Sequence, residues 1–136
     1  MEPLLQVELT SEDAGHPIEA ALGRQAGAGG WRASQPGKQT IRLRFDEPHR
    51  IHRIQLVFEE HDRMRTQEFL LRWSPEGAVS WRDIVRQQYN FSPPDSCREV
   101  EDYVVDIDAM ALLELTITPD ISGGEARAAL ARLRLA

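Results

Sequence analysis

The segment Phe69-Leu70-Leu71-Arg72-Trp73-Ser74-Pro75-Glu76-Gly77, followed by Ser80-Trp81-Arg82-Asp83-Ile84-Val85, decides how this chain is read. Phe69, Leu71 and Trp73 fall at every second position, the period of a strand with one buried face. Ser74-Pro75-Glu76-Gly77 then supplies a turn, since proline presets φ and glycine tolerates the positive φ of a tight reversal. Beyond the turn the pattern is ambiguous by periodicity alone, because Trp81, Ile84, Val85 and Tyr89 also have helical spacing.

Outward from this segment the same alternation recurs. In Thr40-Ile41-Arg42-Leu43-Arg44-Phe45 the apolar residues sit on odd positions and the arginines on even ones, and Asp46-Glu47-Pro48 is expected to end that strand. Further runs pass through Ile54, Leu56 and Phe58, through Tyr103, Val105 and Ile107, and through Leu113, Leu115 and Ile117. The chain closes on Leu133-Arg134-Leu135 and opens with a strand at Leu5, Val7 and Leu9. At least seven strands are too many for one open sheet with both faces covered at this length, so a two-layer sandwich is expected. One stretch differs: His16 to Leu22 reads as a short helix, with Pro17 early and Gly23 as its stop.

Composition narrows the function classes. With 136 residues, 41% of them hydrophobic and 28% charged, the chain is expected to form a single domain over residues 1–136. No run approaches the roughly 20 apolar residues of a membrane helix, so no membrane association is expected. Met1-Glu2-Pro3-Leu4-Leu5 lacks the features of a secretory leader, and the lone Cys97 cannot form an internal disulfide. Both features lead to an expected cytoplasmic setting, with Cys97 a bystander thiol. A net charge of −6 opposes binding to phosphate backbones, although Arg42, Arg44, Arg50, Arg53, Arg63, Arg65 and Arg72 leave room for a local basic face.

Taken in order, these features resemble the discoidin, or coagulation factor 5/8 type C, family of the galactose-binding-like superfamily. The resemblance is carried by Pro17-Ile18-Glu19-Ala20-Ala21-Leu22, by Gly29-Gly30-Trp31-Arg32-Ala33-Ser34, by Gln39 to Phe45, and by Ile51-His52-Arg53-Ile54-Gln55-Leu56. The opening segment, with its strand, Ser-x-Glu-Gly turn and Trp-x-x-Ile sequence, is its most diagnostic part. The resemblance implies an all-β jelly-roll β-sandwich with one short N-terminal helix, and makes Trp81 to Phe91 a strand. Many members hold calcium in the loop before the first Trp. Here that loop, Gly23-Arg24-Gln25-Ala26-Gly27-Ala28-Gly29-Gly30, has no carboxylate, and residues 127–136 have none either, so no calcium, metal or other cofactor is expected.

Enzymatic readings find little support in the residues. His49 and His52 are three apart, and on a strand they would point to opposite faces. No Gly-x-Ser-x-Gly elbow occurs, and Gly27, Gly29 and Gly30 do not make a dinucleotide fingerprint. Glu59-Glu60 and Asp106/Asp108 are paired carboxylates of a kind common at strand ends. The expectation is a non-catalytic binding module. The resemblance implies a carbohydrate ligand held by loops at one end of the sandwich, with Trp31, Arg32, His61, Arg63, Arg65, Tyr89 and Asn90 as the candidate contacts. Taken singly, Trp31 and Trp81 read more readily as core residues than as contacts, and Arg63 and Arg65 more readily as solvated ones. The alternative is an intracellular protein-interaction or nucleic-acid-associated module, since Gly30 to Ile41 resembles the opening of the N-terminal domain of a single-strand-break repair scaffold. The acidic charge suits a protein partner better than nucleic acid.

Overall fold

Alternation in the sequence becomes alternation in burial. In a computed structural model that describes residues 5–23, 30–76 and 79–136, Ile41, Leu43 and Phe45 are buried while Thr40, Arg42 and Arg44 are part-exposed. The described residues form strands β1 (Leu5–Leu9), β2 (Trp31–Arg32), β3 (Gln39–Glu59), β4 (Arg65–Ser74), β5 (Arg82–Phe91), β6 (Arg98–Thr118), β7 (Ala129–Leu130) and β8 (Arg132–Leu135). Between β1 and β2 lies a short helix, α1 (Ile18–Ala21), with Pro17 at its N-cap position and Gly23 just beyond it at φ +76°. Most of the expected strands, and the helix, are where the sequence placed them.

β3 and β6 each run 21 residues and pair antiparallel along most of their length. The first half of β3 pairs with β1 and with the second half of β6, which continues to β4 and then β5. The second half of β3 pairs with β8 and with the first half of β6. Each long strand thus serves both layers. Phe58 of β3 and Phe69 of β4 stack across the space between the layers with ring centroids 5.3 Å apart, amid a core of Ile54, Leu56, Leu71, Leu113 and Ile117.

Three expectations need correction. Asp46-Glu47-Pro48 does not end a strand: pairing with β6 jumps from Arg44↔Leu112 to His49↔Met110, so Pro48 sits in a bulge where no ladder N–H is required. The same feature fuses the runs at Tyr103 to Ile107 and Leu113 to Ile117 into the single strand β6. Trp81 is not a core tryptophan. It is part-exposed beside the outer face of the sheet, with the Arg42 and Arg72 guanidinium carbons 5.2 and 4.5 Å from its ring centroid. Both arginines bond Glu114 at 2.6 Å; burial pushes that carboxyl up, but the two cations outweigh it and hold the group below its usual range.

The ambiguous Trp81 to Phe91 segment is a strand from Arg82 onward, and its helical spacing has a local cause. A register shift between Leu71↔Val85 and Arg72↔Asp83 leaves Ile84 as the extra residue of a bulge, so Ile84 and Val85 are both part-buried.

Close to the sandwich end, Gly30 has φ +87°, and a Cβ there would stand 2.5 Å from the Leu130 carbonyl oxygen and 2.7 Å from the Ala131 Cα. Both obstacles are backbone, at and just after the strand that pairs with β2, so neither can swing aside. Gly30→Ala should therefore lower unfolding stability by about 2 kcal/mol or more in a urea titration. A change near zero would mean that the β2–β7 ribbon is looser than this geometry.

Candidate functional site

A cleft of about 360 Å³ opens where β3 hands over to β4, large enough for a small ligand. One wall is the β2–β7 ribbon, in which Trp31 pairs with Leu130 and Arg32 with Ala129. The segment before α1 is tied to that ribbon: Asp13 N–H donates to the Arg32 carbonyl at 2.8 Å, and Arg32 N–H to the His16 carbonyl at 3.2 Å. This brings the His16 ring to the cleft with its Nδ1 2.8 Å from the Asp13 carboxylate, whose pKa is lowered chiefly by that bond. Residues 59–63 form the second wall, and Glu125, Arg127, Ala129 and Ala131 complete the lining.

The turn between β3 and β4 is organised by Glu60 and Arg65. Arg65 Nε donates to Glu60 Oε1 at 2.7 Å, and the other Glu60 oxygen accepts the Asp62 N–H at 2.9 Å. Arg65 NH1 donates to the Pro119 carbonyl at 2.7 Å and to Gln67 Oε1 at 3.1 Å, while the guanidinium carbon lies 4.7 Å from the centre of the Phe91 ring. Burial pushes the Glu60 carboxyl up, but the Arg65 guanidinium and the backbone N–H groups of Asp62 and Arg63 hold it below its usual range.

Five of the seven sequence-selected residues, Trp31, Arg32, His61, Arg63 and Arg65, line this one cleft. They do not line it alike. Arg32, His61 and Arg63 are exposed. Trp31 is only 1% exposed and its indole N–H donates to the Ser11 carbonyl, so it presents no open stacking face. The Arg65 side chain is 1% exposed and committed to Glu60, Gln67 and Pro119, which corrects both its reading as a free ligand contact and its reading as a solvated surface group. Tyr89 and Asn90 lie outside the cleft within β5, where the Tyr89 hydroxyl donates to the Arg98 carbonyl and Asn90 accepts from Thr66. Their cross-strand partners, Gln67 and Thr66, fix them there.

His49 packs on Phe45, whereas His52 accepts from Arg50, so the two imidazoles have separate partners. Asp106 and Asp108 share Arg50 at the surface. Residues 24–29 of the glycine-rich loop, on which the expectation about calcium rests, lie outside the described residues.

The architecture can be set beside known structures. A family 32 carbohydrate-binding module from C. perfringens NanJ, solved with galactose, superimposes with a TM-score of 0.68 at 12% identity, over 96% of this chain and 92% of that one. A pectin-binding carbohydrate-binding module gives 0.68 at 15% identity, over 98% and 90%. Reduced XRCC1 bound to the DNA pol beta catalytic domain gives 0.67 at 17% identity, over 100% and 98%. The fold is the galactose-binding-like jelly roll. The sequence matches no protein-family model and no curated protein.

Within this jelly roll, sequence reading missed His16, Glu59, Glu60, Asp62, Glu125 and Arg127 as cleft residues. His16 and Arg127 reach the cleft only through the pairing of β2 with the segment before α1 and with β7, contacts that no local pattern announces. Glu60 was legible as a carboxylate but not as the partner of Arg65.

Arg65→Ala would leave Glu60 in a mostly buried place without its cation, so it should cost about 3 kcal/mol of unfolding stability at neutral pH. The pH dependence has a definite sign. Because Glu60 is depressed in the fold, the stability it contributes is present above its unfolded pKa and disappears as pH falls through the lower folded value. Urea midpoints across the acid range should thus converge for the wild type and Arg65→Ala. Curves that stay parallel would assign the loss to packing on Phe91 and not to the ion pair.

Proposed function

We propose that the protein is a non-catalytic carbohydrate-binding module whose ligand sits in the cleft between the β2–β7 ribbon and the β3–β4 turn. The observation that carries this reading is the convergence of Arg32, His61 and Arg63, chosen from sequence alone, on one cleft with Arg127 and His16. Arginine and imidazole groups donate to sugar hydroxyls, and Glu59, Asp62 and Glu125 accept from them. A polyol, whose every hydroxyl both donates and accepts, suits such a mixed lining. The likeness in fold to modules described with galactose and with pectin adds support. Glu60, the most buried carboxylate of the cleft wall, is committed to Arg65 and so is a poor candidate for acid–base work.

A protein-interaction role is the second reading, in keeping with the XRCC1 likeness in fold and with the cytoplasmic setting expected from the sequence. One observation favours it. The first half of β6 pairs with β3 on one side and with no described strand on the other, and its outward Val100 and Val104 are 52% and 88% exposed.

Calorimetric titration with galactose, pectin oligosaccharides and mannuronate oligosaccharides separates the two. Saturable binding by one of them, weakened about tenfold by Arg63→Ala and by Arg127→Ala while unfolding stability moves by less than about 0.5 kcal/mol, is the expected result. Silence toward all three, with a reproducible protein partner lost on Val104→Asp, would replace the carbohydrate reading by the second one.

A further inference from the structure

Behind the β3–β4 turn lies a polar chain that ligand contact alone does not require. Glu99 of β6 is 1% exposed; its Oε1 accepts from Gln67 Nε2 at 3.2 Å, and its Oε2 is buried without a partner. Gln67 in turn accepts from Arg65, and Arg65 donates to Glu60, whose second oxygen holds the Asp62 N–H. Four side chains therefore connect the interior to the loop that carries His61 and Arg63.

At its inner end the chain meets a second acid. Alternation along β6 turns Glu99, Glu101 and Tyr103 to the same side, and the Glu101 carboxyl lies within hydrogen-bonding reach of Glu99. Two carboxyl groups that close, one of them in a dry place, require a proton between them. The groups facing Glu99 are Arg65 and Gln67 of β4 and Glu101 and Tyr103 of its own strand; Tyr89 of β5 spends its hydroxyl on the Arg98 carbonyl, and β3 offers Phe58 as the cross-strand neighbour. Burial first, and Glu101 second, push the Glu99 carboxyl up to about 9, against the opposing pull of Gln67 and Arg65. The Tyr103 hydroxyl, also buried without a partner, is pushed up by burial and by the same two acids.

We propose that Glu99 and Glu101 anchor a positioning arm, through Gln67 and Arg65, that sets the 60–63 loop and with it His61 and Arg63 of the cleft. With the shared proton in place, Arg65 is left to Glu60 and Pro119. When the proton departs, a second negative charge forms beside Gln67 in a poorly solvated interior, and Arg65 is drawn from Glu60 toward it. The loop slackens at its anchor. The functional consequence rests on the reading of the cleft as a binding site; the structural consequence does not.

The Asp62 amide, observed by 15N NMR from about pH 7 to about pH 10, supplies the test. Cys97→Ser serves as the background, because the Cys97 carbonyl accepts the Glu60 N–H and its thiol is best removed from the vicinity. The expected result is a shift of the Asp62 resonance with a midpoint near 9, absent in Glu99→Gln, which mimics the protonated acid. An Asp62 resonance that does not titrate in the wild type, or one that titrates equally in Glu99→Gln, overturns the proposal. Unfolding stability gives a control for Glu99 itself. A carboxyl raised in the fold contributes stability that is full below about 4.5 and drains as pH climbs to about 9, so Glu99→Gln should flatten that slope. Titration with pectin oligosaccharides completes the set: affinity about tenfold weaker at the alkaline end, and pH-independent in Glu99→Gln, is expected. Absence of saccharide binding at every pH, with the Asp62 shift intact, would overturn the carbohydrate reading and leave the positioning arm standing.

Discussion

The rest of the structure depends on β3 and β6 remaining paired with each other while each passes from one layer to the other. A strand that stays straight can serve only one sheet, so the ladder has to break somewhere along 21 residues. It breaks between Arg44 and His49, opposite Leu112 and Met110, and again at Ile51 and Arg53. At that corner Asp46, Glu47 and Pro48 are exposed and free of any pairing with β6. On either side of it the inward faces differ in chemistry. The first half of β3 contributes Ile41, Leu43 and Phe45, and the second Ile54, Leu56 and Phe58, all meeting in one apolar core. The first half of β6 turns Ile107, Val105 and Tyr103 toward that core, but at its far end, opposite Phe58, it turns Glu101 and Glu99 inward instead. That contrast is why the β3–β4 end of the sandwich is polar and able to form a site.

Arg65 and Arg63 show how position decides what a cation does. Two residues apart, they share a charge and belong to the same turn, yet one side chain is 1% exposed and the other lies open to solvent. Removing a guanidinium from water is costly unless its donors are met, and Arg65 meets them with a carboxylate, an amide and a carbonyl while its flat face rests on Phe91. The result is a rigid corner post. Arg63 has no such partner among the described residues, and its guanidinium faces the cleft. The same division separates Arg42 and Arg72, bound to Glu114 beside Trp81, from the exposed Arg32 and Arg127.

The sequence made the strands legible because their buried faces are nearly uninterrupted: Ile41, Leu43 and Phe45, or Phe69 and Leu71, leave little freedom in period. It misled at Pro48, since a proline ends a strand only where a ladder N–H is needed, and the absence of that need at a layer-crossing bulge is a tertiary fact. The helical spacing of Trp81, Ile84 and Val85 was likewise the trace of a bulge. For the cleft, residue types were readable but their neighbours were not. His61, Arg63 and Arg65 lie together in sequence, while Arg32, Arg127 and His16 join them only through the short β2–β7 ribbon. Tyr89 and Asn90, chosen as contacts ahead of Ser92-Pro93-Pro94, lie in the expected strand, and the cross-strand pairing of β5 with β4 keeps them away from the cleft.

The burial of Trp31 changes how a ligand would have to be held. A sugar stacked on an open indole gains from apolar contact that is nearly independent of pH and salt. With Trp31 closed over and its N–H given to Ser11, the cleft offers instead the polar groups of Arg32, Arg63, Arg127, His16 and His61 beside Glu59, Asp62 and Glu125. Hydrogen bonds to charged groups are stronger than neutral ones, but they are directional, and a displacement of a few tenths of an ångström weakens them in a way that it does not weaken stacking. A cleft of this kind needs its loops held firmly. The chain from Glu99 through Gln67 and Arg65 to Glu60 meets that need, because it ties the turn bearing His61 and Arg63 to the interior through groups that cannot be displaced without leaving a buried charge or dipole unpaired.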